Sequence, residues 1–214
     1  MALFGHCLSL PFDYLKVHRI AGSSTRQFTK MYSGSGIAAA RIISVYGGSI
    51  FLSEQNIDDG YDFLVASALV LAFSPLDHIL TRVQLNPGKG IIDITKDLLG
   101  QRNLFLMRGM WCNYFRQLIS TVPLKEINSI TKNHNYDRGK ALVMTAIPAI
   151  VFSFPFENVR TRLQCSGKYF GVKDCISRTI SEEGIFGIYK GFFHYSCRNI
   201  AFISSCYLFS WYFQ

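Results

Sequence analysis

A carboxylate, a proline and basic side chains occur close together at the end of an apolar run. The segment FPFENVRTRLQ, residues 154–164, carries Glu157 two residues after Pro155 and Arg160 five residues after it. The apolar run ALVMTAIPAIVFS directly precedes this segment. Charged side chains in a hydrophobic setting are costly unless they pair. The segment therefore predicts ion pairs that involve Glu157 and Arg160.

Two further copies of this pattern lie earlier in the chain. SPLDHILTRVQ, residues 74–84, places Asp77 two residues after Pro75 and Gln84 nine residues after it, where the first segment has Gln164. A single copy would be explained equally well by ion pairs between neighbours on one helix face. Three copies favour pairing between copies. The weakest copy, LPFDYLKVHRI, comes first along the chain and supplies Pro11, Asp13 and Lys16.

A glycine follows each copy, and an arginine lies seven residues beyond each glycine. Guanidinium groups around a wet cavity would attract carboxylate or phosphate groups. The alternative is that these arginines reach the membrane surface or contact lipid headgroups. The glycines are Gly34, Gly109 and Gly191, and the arginines are Arg41, Arg116 and Arg198.

The elements that must position these residues are predicted to be helices. None of the six apolar stretches is an uninterrupted run of the ~20 apolar residues that a simple membrane span requires. Each contains Gly, Ser, Pro or a charge, which favours helices that face one another or a wet cavity. A soluble helical bundle with a large core is the alternative. The stretches are 2–10, 36–53, 61–76, 110–124, 141–156 and 196–213. Residues 91–100 and 172–184 are predicted to form short amphipathic helices.

Composition narrows the class of function. The 214 residues are 49% hydrophobic and 17% charged, with a net charge of +8. A charge of this sign is compatible with nucleic acid, an anionic membrane surface or an anionic small ligand, and the dispersal of the basic residues beside apolar stretches favours a membrane. The six cysteines form no CxxC or zinc-type spacing, and we find no nucleophile–base set. We therefore expect neither an enzyme nor a cofactor-binding protein.

These motifs resemble the mitochondrial solute carrier family. The resemblance is carried by Pro-x-[Asp/Glu]-x-x-[Lys/Arg]-x-[Lys/Arg], then an amphipathic helix and [Asp/Glu]-Gly-x4-[Trp/Tyr/Phe]-[Lys/Arg]-Gly. The third copy is nearly complete, from Pro155 through YFGVKDC to EEGIFGIYKG. The resemblance implies an all-α membrane protein of the mitochondrial inner membrane. Six transmembrane helices would form three pseudo-threefold repeats, with short amphipathic helices on the matrix side. The single domain, 1–214, would divide at about 1–58, 59–136 and 137–214.

The resemblance also implies roles for the motif residues. The acid of one repeat would pair with the base of the next and close a matrix-side gate. This gives Asp77 with Arg160 and Glu157 with Lys16, whereas Asp13 would face Leu80. Pro11, Pro75 and Pro155 would kink their helices, and Gln84 and Gln164 would brace the gate.

A substrate and a lipid are implied as partners. Arg41, Arg116 and Arg198 fall where the family contacts its substrate. Arg116-Gln117 is similar to the pair that carboxylate and keto-acid carriers have on the fourth helix. Cardiolipin, as a bound lipid, would sit at helix starts, where free N–H groups favour phosphate. The residues implied there are Arg108, Gly109, Gly171, Lys190 and Gly191.

Departures from the family pattern weaken the prediction of transport. Gly34 follows Pro11 much sooner than Gly109 follows Pro75, and ten residues precede Pro11, so the first repeat looks truncated. In the opposite gate, Glu54 remains but Ile57 stands where a base is expected. We therefore expect a degenerate carrier that serves as a non-transporting structural or accessory subunit of a respiratory or ATP synthase complex. Its partners would be membrane lipids and other inner-membrane subunits, without nucleic acid. The alternative is an active antiporter of small anions such as carboxylates.

Overall fold

The computed structural model describes residues 2–22, 31–40, 43, 68–86, 88–100, 108–119 and 138–212. All regular elements in these ranges are helical, which confirms the all-α class. The helices are α1 (Ala2–Ala21), α2 (Ser74–Leu85), α3 (Ile91–Gly100), α4 (Arg138–Cys165), α5 (Val172–Glu183), a 3-10 helix (Ile185–Tyr189) and α6 (Phe192–Tyr212). Residues 35–40, 68–72 and 110–119 are helical as well.

The three motif prolines occupy two kinds of position in their helices. Pro11 lies inside α1, and Pro155 lies inside α4, which also contains Pro148. Pro75 lies instead in the first turn of α2, after a turn at Phe73 that separates α2 from residues 68–72. A proline in the first turn loses no helical hydrogen bond, because its missing N–H would have had no partner there. The sequence pattern alone did not distinguish these two positions.

Helices α1, α2 and α4 carry the three copies of the motif, and each packs against the other two. Helix α4 also contacts α5, the 3-10 helix and α6, and α1 packs along α6. The motif side chains are therefore brought together where these three helices meet.

Both predicted amphipathic helices are present. Helix α3 buries Ile94 and Leu98 against Val83 of α2, while Ile92 remains exposed. Helix α5 buries Cys175, which packs with Val159 and Leu163 of α4. In both cases one apolar side faces a motif helix, as the helical spacing of apolar residues predicts.

The wider membrane layout is only partly covered by the described ranges. No helix that the structure describes is both long enough and apolar enough to cross a membrane. The predicted stretches 36–53, 61–76 and 110–124 are described in part, so the six-helix arrangement stays a prediction. The repeat boundaries near residues 58 and 136 lie outside the described residues, as do Glu54 and Ile57.

Candidate functional site: a buried ion-pair network

Both ion pairs expected between copies of the motif are formed where α1, α2 and α4 meet. Lys16 Nζ lies 2.6 Å from Glu157 Oε1, and Arg160 Nη1 lies 3.5 Å from Asp77 Oδ2. All four residues are buried. Pairs within one helix occur too, since Lys16 also contacts Asp13 and Arg160 contacts Glu157. Local pairing and pairing between helices thus coexist in one network.

Asn113 is a central member of this network that sequence reasoning missed. Its Nδ2 donates to Asp77 Oδ2 at 2.9 Å, and its Oδ1 accepts from Arg160 Nη1 at 2.9 Å. Its Oδ1 also accepts from Arg116 Nε at 3.2 Å. Asn113 lies four residues after Gly109, and both residues at the matching positions are buried as well, namely Ala38 and Tyr195. The equal spacing of these three residues from their glycines was the available signal for a buried position. It did not indicate a hydrogen-bonding residue, because alanine, asparagine and tyrosine have different side-chain chemistry.

The two described arginines that follow a glycine by seven residues each face a carboxylate of the motif. Arg116 Nε lies 3.4 Å from Glu157 Oε2, and its Nη2 donates to Gln117 Oε1 at 3.4 Å. Arg198 Nη1 lies 3.1 Å from Asp13 Oδ1. The guanidinium of Arg198 also lies 5.0 Å from the ring centroid of Tyr195. Arg41, the third predicted member, lies outside the described residues.

Asp13, which was expected to face Leu80, is neutralised by bases on α1 and α6. Its Oδ1 accepts from Lys16 Nζ and from Arg198 Nη1, both at 3.1 Å. Leu80 instead belongs to an apolar cluster with Leu10 and Ala38. Asp13 is therefore paired with a cation from α6, whereas the motif pattern predicts a cation from α2.

The two glutamines predicted to brace the gate differ in their contacts. Gln164 Oε1 accepts from Thr81 Oγ1 at 3.2 Å, and its Nε2 donates to the carbonyl of Arg108 at 3.4 Å. Gln164 therefore links α4 to α2 and to the start of the helical segment 110–119. Gln84 is buried, and its backbone carbonyl lies 3.0 Å from Nε2 of His18.

Three glycines allow the helices to approach closely. Gly34, Gly109 and Gly191 have φ angles of 86°, 80° and 92°, a region that residues with a Cβ adopt only with strain. A Cβ on Gly109 would lie 2.9 Å from Cγ of Arg160, and one on Gly34 would lie 2.6 Å from Cδ1 of Leu80. A Cβ on Gly191 would lie 3.1 Å from Cγ1 of Ile20. Each glycine thus rests on the motif helix of the next copy, and the third rests on the first.

A separate ion pair ties α5 and the 3-10 helix to α4. Arg162 donates to both carboxylate oxygens of Glu183, at 2.9 and 2.8 Å, and to the carbonyl of Gly187. Lys190 Nζ lies 3.4 Å from Glu183 Oε2. The hydrogen bonds from Arg162 lower the pKa of Glu183 below its usual value, and the nearby charges act in the same direction. This carboxylate therefore stays ionised at neutral pH.

The residues implied for lipid binding fall into two places. Arg108 donates to the carbonyl of Tyr169, which brings Arg108-Gly109 close to Gly171, the residue that precedes α5. Lys190-Gly191 lies instead at the start of α6, against Ile20 of α1. Within the described ranges, no group of histidine, cysteine, aspartate or glutamate side chains could hold a metal ion.

Comparison with known proteins finds sequence similarity to mitochondrial carriers. The family model described as mitochondrial carrier protein matches residues 134–212. Over 161 residues the chain is 32% identical to mitochondrial 2-oxodicarboxylate carrier 2 of Saccharomyces cerevisiae, which covers 58% of this chain and 50% of the yeast protein. Over 142 residues it is 28% identical to the probable mitochondrial 2-oxodicarboxylate carrier of Dictyostelium discoideum, covering 57% and 46% of the two chains. A shorter match of 56 residues, 33% identical, joins it to solute carrier family 25 member 45 of Mus musculus and covers 26% of this chain and 19% of the mouse protein. The chain thus spans about half the length of the first two of these curated relatives.

Proposed function

We propose that the chain is a member of the mitochondrial carrier family of the mitochondrial inner membrane, whose family model matches residues 134–212, and that it exchanges small dicarboxylate anions of the 2-oxodicarboxylate type across that membrane. Members of this family are transporters rather than enzymes. One observation carries the proposal: among the residues that the structure describes, the ion-pair network holds four basic side chains and three acidic ones. The bases are Lys16, Arg116, Arg160 and Arg198, and the acids are Asp13, Asp77 and Glu157.

An excess of cations in a buried network favours an anionic ligand. Desolvated positive charge is costly unless an acid neutralises it. A dicarboxylate offers two carboxylates, and the guanidinium groups of Arg116 and Arg198 lie on two different helical segments that both face the network. Guanidinium groups bind carboxylates in bidentate geometry. Each arginine would therefore hold one end of the anion.

The same contacts couple binding to opening of the gate. Arg116 lies beside Glu157, and Arg198 lies beside Asp13. An incoming carboxylate would compete with these acids for the two guanidinium groups. Alternating access requires that one end of the cavity open while the other closes. Substrate contacts would offset part of the cost of separating α1, α2 and α4, so that exchange is faster than uncoupled opening.

Gln117 and Arg41 complete the proposed substrate contacts. Gln117 accepts from Arg116 in the structure and would orient that guanidinium toward the ligand. Arg41 is assigned by its position seven residues after Gly34. The gate would comprise the remaining charged members of the network together with Gln84 and Gln164.

Cardiolipin is the lipid that we propose at the helix starts. Gly171 precedes α5 and Gly191 precedes α6, and free N–H groups at helix N-termini favour phosphate. Arg108 and Lys190 would add positive charge at the two places. The lipid would bind from the membrane and stabilise the packing of α5 and α6 on α4 and α1.

The alternative function is a non-transporting subunit of a respiratory or ATP synthase complex. Nothing in the comparisons supports it, and the matched relatives named above include two described as carriers. It stays a prediction that a native gel of mildly solubilised membranes can test. Migration near the 24.2 kDa mass of the chain alone, without a larger assembly, would count against it.

Exchange measured in proteoliposomes tests the proposed function. Purified protein would be reconstituted into cardiolipin-containing vesicles loaded with 2-oxoglutarate, and uptake of external labelled 2-oxoglutarate would be followed. We expect uptake that depends on internal anion. In Arg116→Ala, uptake should fall at least about tenfold, because a guanidinium that binds one carboxylate of the anion is lost; a tenfold change corresponds to about 1.4 kcal/mol. Arg178→Ala, on the outer side of α5, is the matched control. If wild-type vesicles take up no more label than empty ones, the proposed function is wrong.

A further inference from the structure

The third position of the motif gate lacks its own cation. In the second copy, residue 80 is leucine, whereas the matching residues of the other copies are Lys16 and Arg160. Both of those cations contact the carboxylate of the preceding copy. Asp13, the carboxylate that residue 80 would serve, is nevertheless buried. A buried carboxylate needs a partner, and α2 offers none at this position.

We infer that Arg198, besides the substrate contact proposed above, is also the third cation of the gate, and that it takes over the role that Leu80 cannot fill. Arg198 Nη1 lies 3.1 Å from Asp13 Oδ1. Lys16 also reaches this oxygen at 3.1 Å, but its ammonium lies closer, at 2.6 Å, to Glu157. Lys16 thus divides its charge between two carboxylates, while Arg198 brings a whole charge from α6. This inference rests on the proposed function, because it assigns a gate to a transporter.

The surroundings of Arg198 hold it in this position. Its guanidinium lies over the ring of Tyr195, 5.0 Å from the ring centroid. Tyr195 is buried, and its hydroxyl lies 3.1 Å from Oγ of Ser153 on α4. A guanidinium that stacks on an aromatic face loses less freedom when it pairs with a carboxylate. Tyr195 therefore orients Arg198 toward Asp13.

The contact of Leu80 with α1 suggests a way to test the exchange. Leu80 packs with Leu10, which precedes Asp13 by three residues and so lies about one turn away on α1. A lysine at residue 80 would extend beyond the leucine toward Asp13. The two arrangements, a cation from α6 and a cation from α2, would then compete for one carboxylate.

The experiment is a double-mutant cycle with two readouts. Arg198→Ala, Leu80→Lys and the double variant would be purified in detergent and melted. We expect Arg198→Ala to lower Tm by roughly 6 °C or more, because it leaves a buried carboxylate short of its partner. Leu80→Lys in the Arg198→Ala background should restore at least half of that loss. A double variant no more stable than Arg198→Ala overturns the inference, provided that Leu80→Lys alone folds with a wild-type Tm.

A second cycle covers the case in which Leu80→Lys fails to fold beside Gly34. In the Asp13→Asn background, the effect of Arg198→Ala on Tm should fall to less than half of its size in the wild type, because the charge that needs Arg198 is gone. An undiminished effect would show that Arg198 acts elsewhere and would overturn the inference. Both melting cycles are independent of transport. Their failure therefore refutes the role of Arg198 while the proposed function stands, whereas absent 2-oxoglutarate exchange by the wild type refutes the proposed function while the pairing measured by melting stands.

Transport separates a gate cation from a simple substrate contact. If Arg198 acts through Asp13 as well as on the substrate, Leu80→Lys should recover at least about a third of the exchange rate lost in Arg198→Ala when 2-oxoglutarate is saturating, while KM stays raised. If Arg198 acts on the substrate alone, the saturating exchange rate of the double variant should be no higher than that of Arg198→Ala, which would overturn the inference.

Discussion

Ion pairs occur in two very different settings in this protein. In the network at the meeting of α1, α2 and α4, Lys16 and Glu157 have side chains that are only 4% and 1% exposed. At the protein surface, Lys168 in the turn before α5 and Glu182 of α5 form a pair of similar length, 2.8 Å, with side chains that are 49% and 48% exposed. The chemistry is the same, but solvent screens the second pair and leaves the first to be neutralised by its protein partners. Burial rather than distance should therefore decide what the loss of a partner costs.

The largest effect is expected at Glu157. Glu157→Gln removes the negative charge that three cations share, since Lys16, Arg116 and Arg160 all contact this carboxylate. Breaking a buried pair in this way costs about 3–5 kcal/mol. We expect a correspondingly large fall in Tm in detergent and loss of exchange. A Tm within one degree or so of the exposed control Lys89→Ala would contradict the contrast between the two settings.

A smaller but distinct effect is expected at Gly109. Gly109→Ala would place a Cβ 2.9 Å from Cγ of Arg160 at a backbone φ of 80°. Strain of this kind costs on the order of 1–3 kcal/mol. Thermal melting measures it, and Gly167→Ala is the matched control, because a Cβ there meets nothing within 4 Å. Equal Tm values for the two variants would show that the close approach of the helices is not required.

The pair between Arg162 and Glu183 lies between the two settings and should respond to pH. The pKa of Glu183 lies below its ordinary value of 4.5, so its stabilising effect is complete above that pH and is lost as pH falls through the lower folded-state value. Wild-type Tm should therefore fall more steeply than that of Glu183→Gln as pH drops below about 4.5. Parallel curves for the two proteins would contradict this assignment.

The smallest effect is expected at the exposed pair. Lys168→Ala breaks the contacts with Glu182, which are 2.8 and 2.9 Å long. Exposed pairs of this kind contribute about 0–1 kcal/mol. We expect Tm to change by no more than about 2–4 °C and the change to shrink in added salt. A fall in Tm as large as that of Glu157→Gln would contradict the expectation that buried pairs contribute more to stability than exposed ones.

Part of the candidate site could be predicted from the sequence because it repeats. The spacing from proline to acid and base identified the pairs of Lys16 with Glu157 and of Asp77 with Arg160, both of which form. Helical spacing likewise identified α3 and α5. Such features depend on local sequence and on the symmetry of the copies.

What could not be predicted depends on contacts outside the pattern. Asn113 joins the network, but the matching residues Ala38 and Tyr195 carry no amide, so the repeated spacing indicated the position without indicating a hydrogen-bonding side chain. The partner of Asp13 on α6 was missed because the pattern looked only to α2. The proposed roles of Arg41, Gln117 and the lipid-binding residues stay predictions, as does the division into three repeats.

The glycine contacts have a mechanical consequence. Gly34 rests on α2, Gly109 on α4 and Gly191 on α1, so the contacts between copies form a closed cycle with no first or last member. If one motif helix tilts, it changes its contact with the glycine that packs against it. It also changes the contact that the glycine of its own copy makes with the next motif helix. Close-packed contacts of this kind transmit displacement instead of absorbing it. Independent movement of one helix is therefore disfavoured, and the three helices are expected to tilt together.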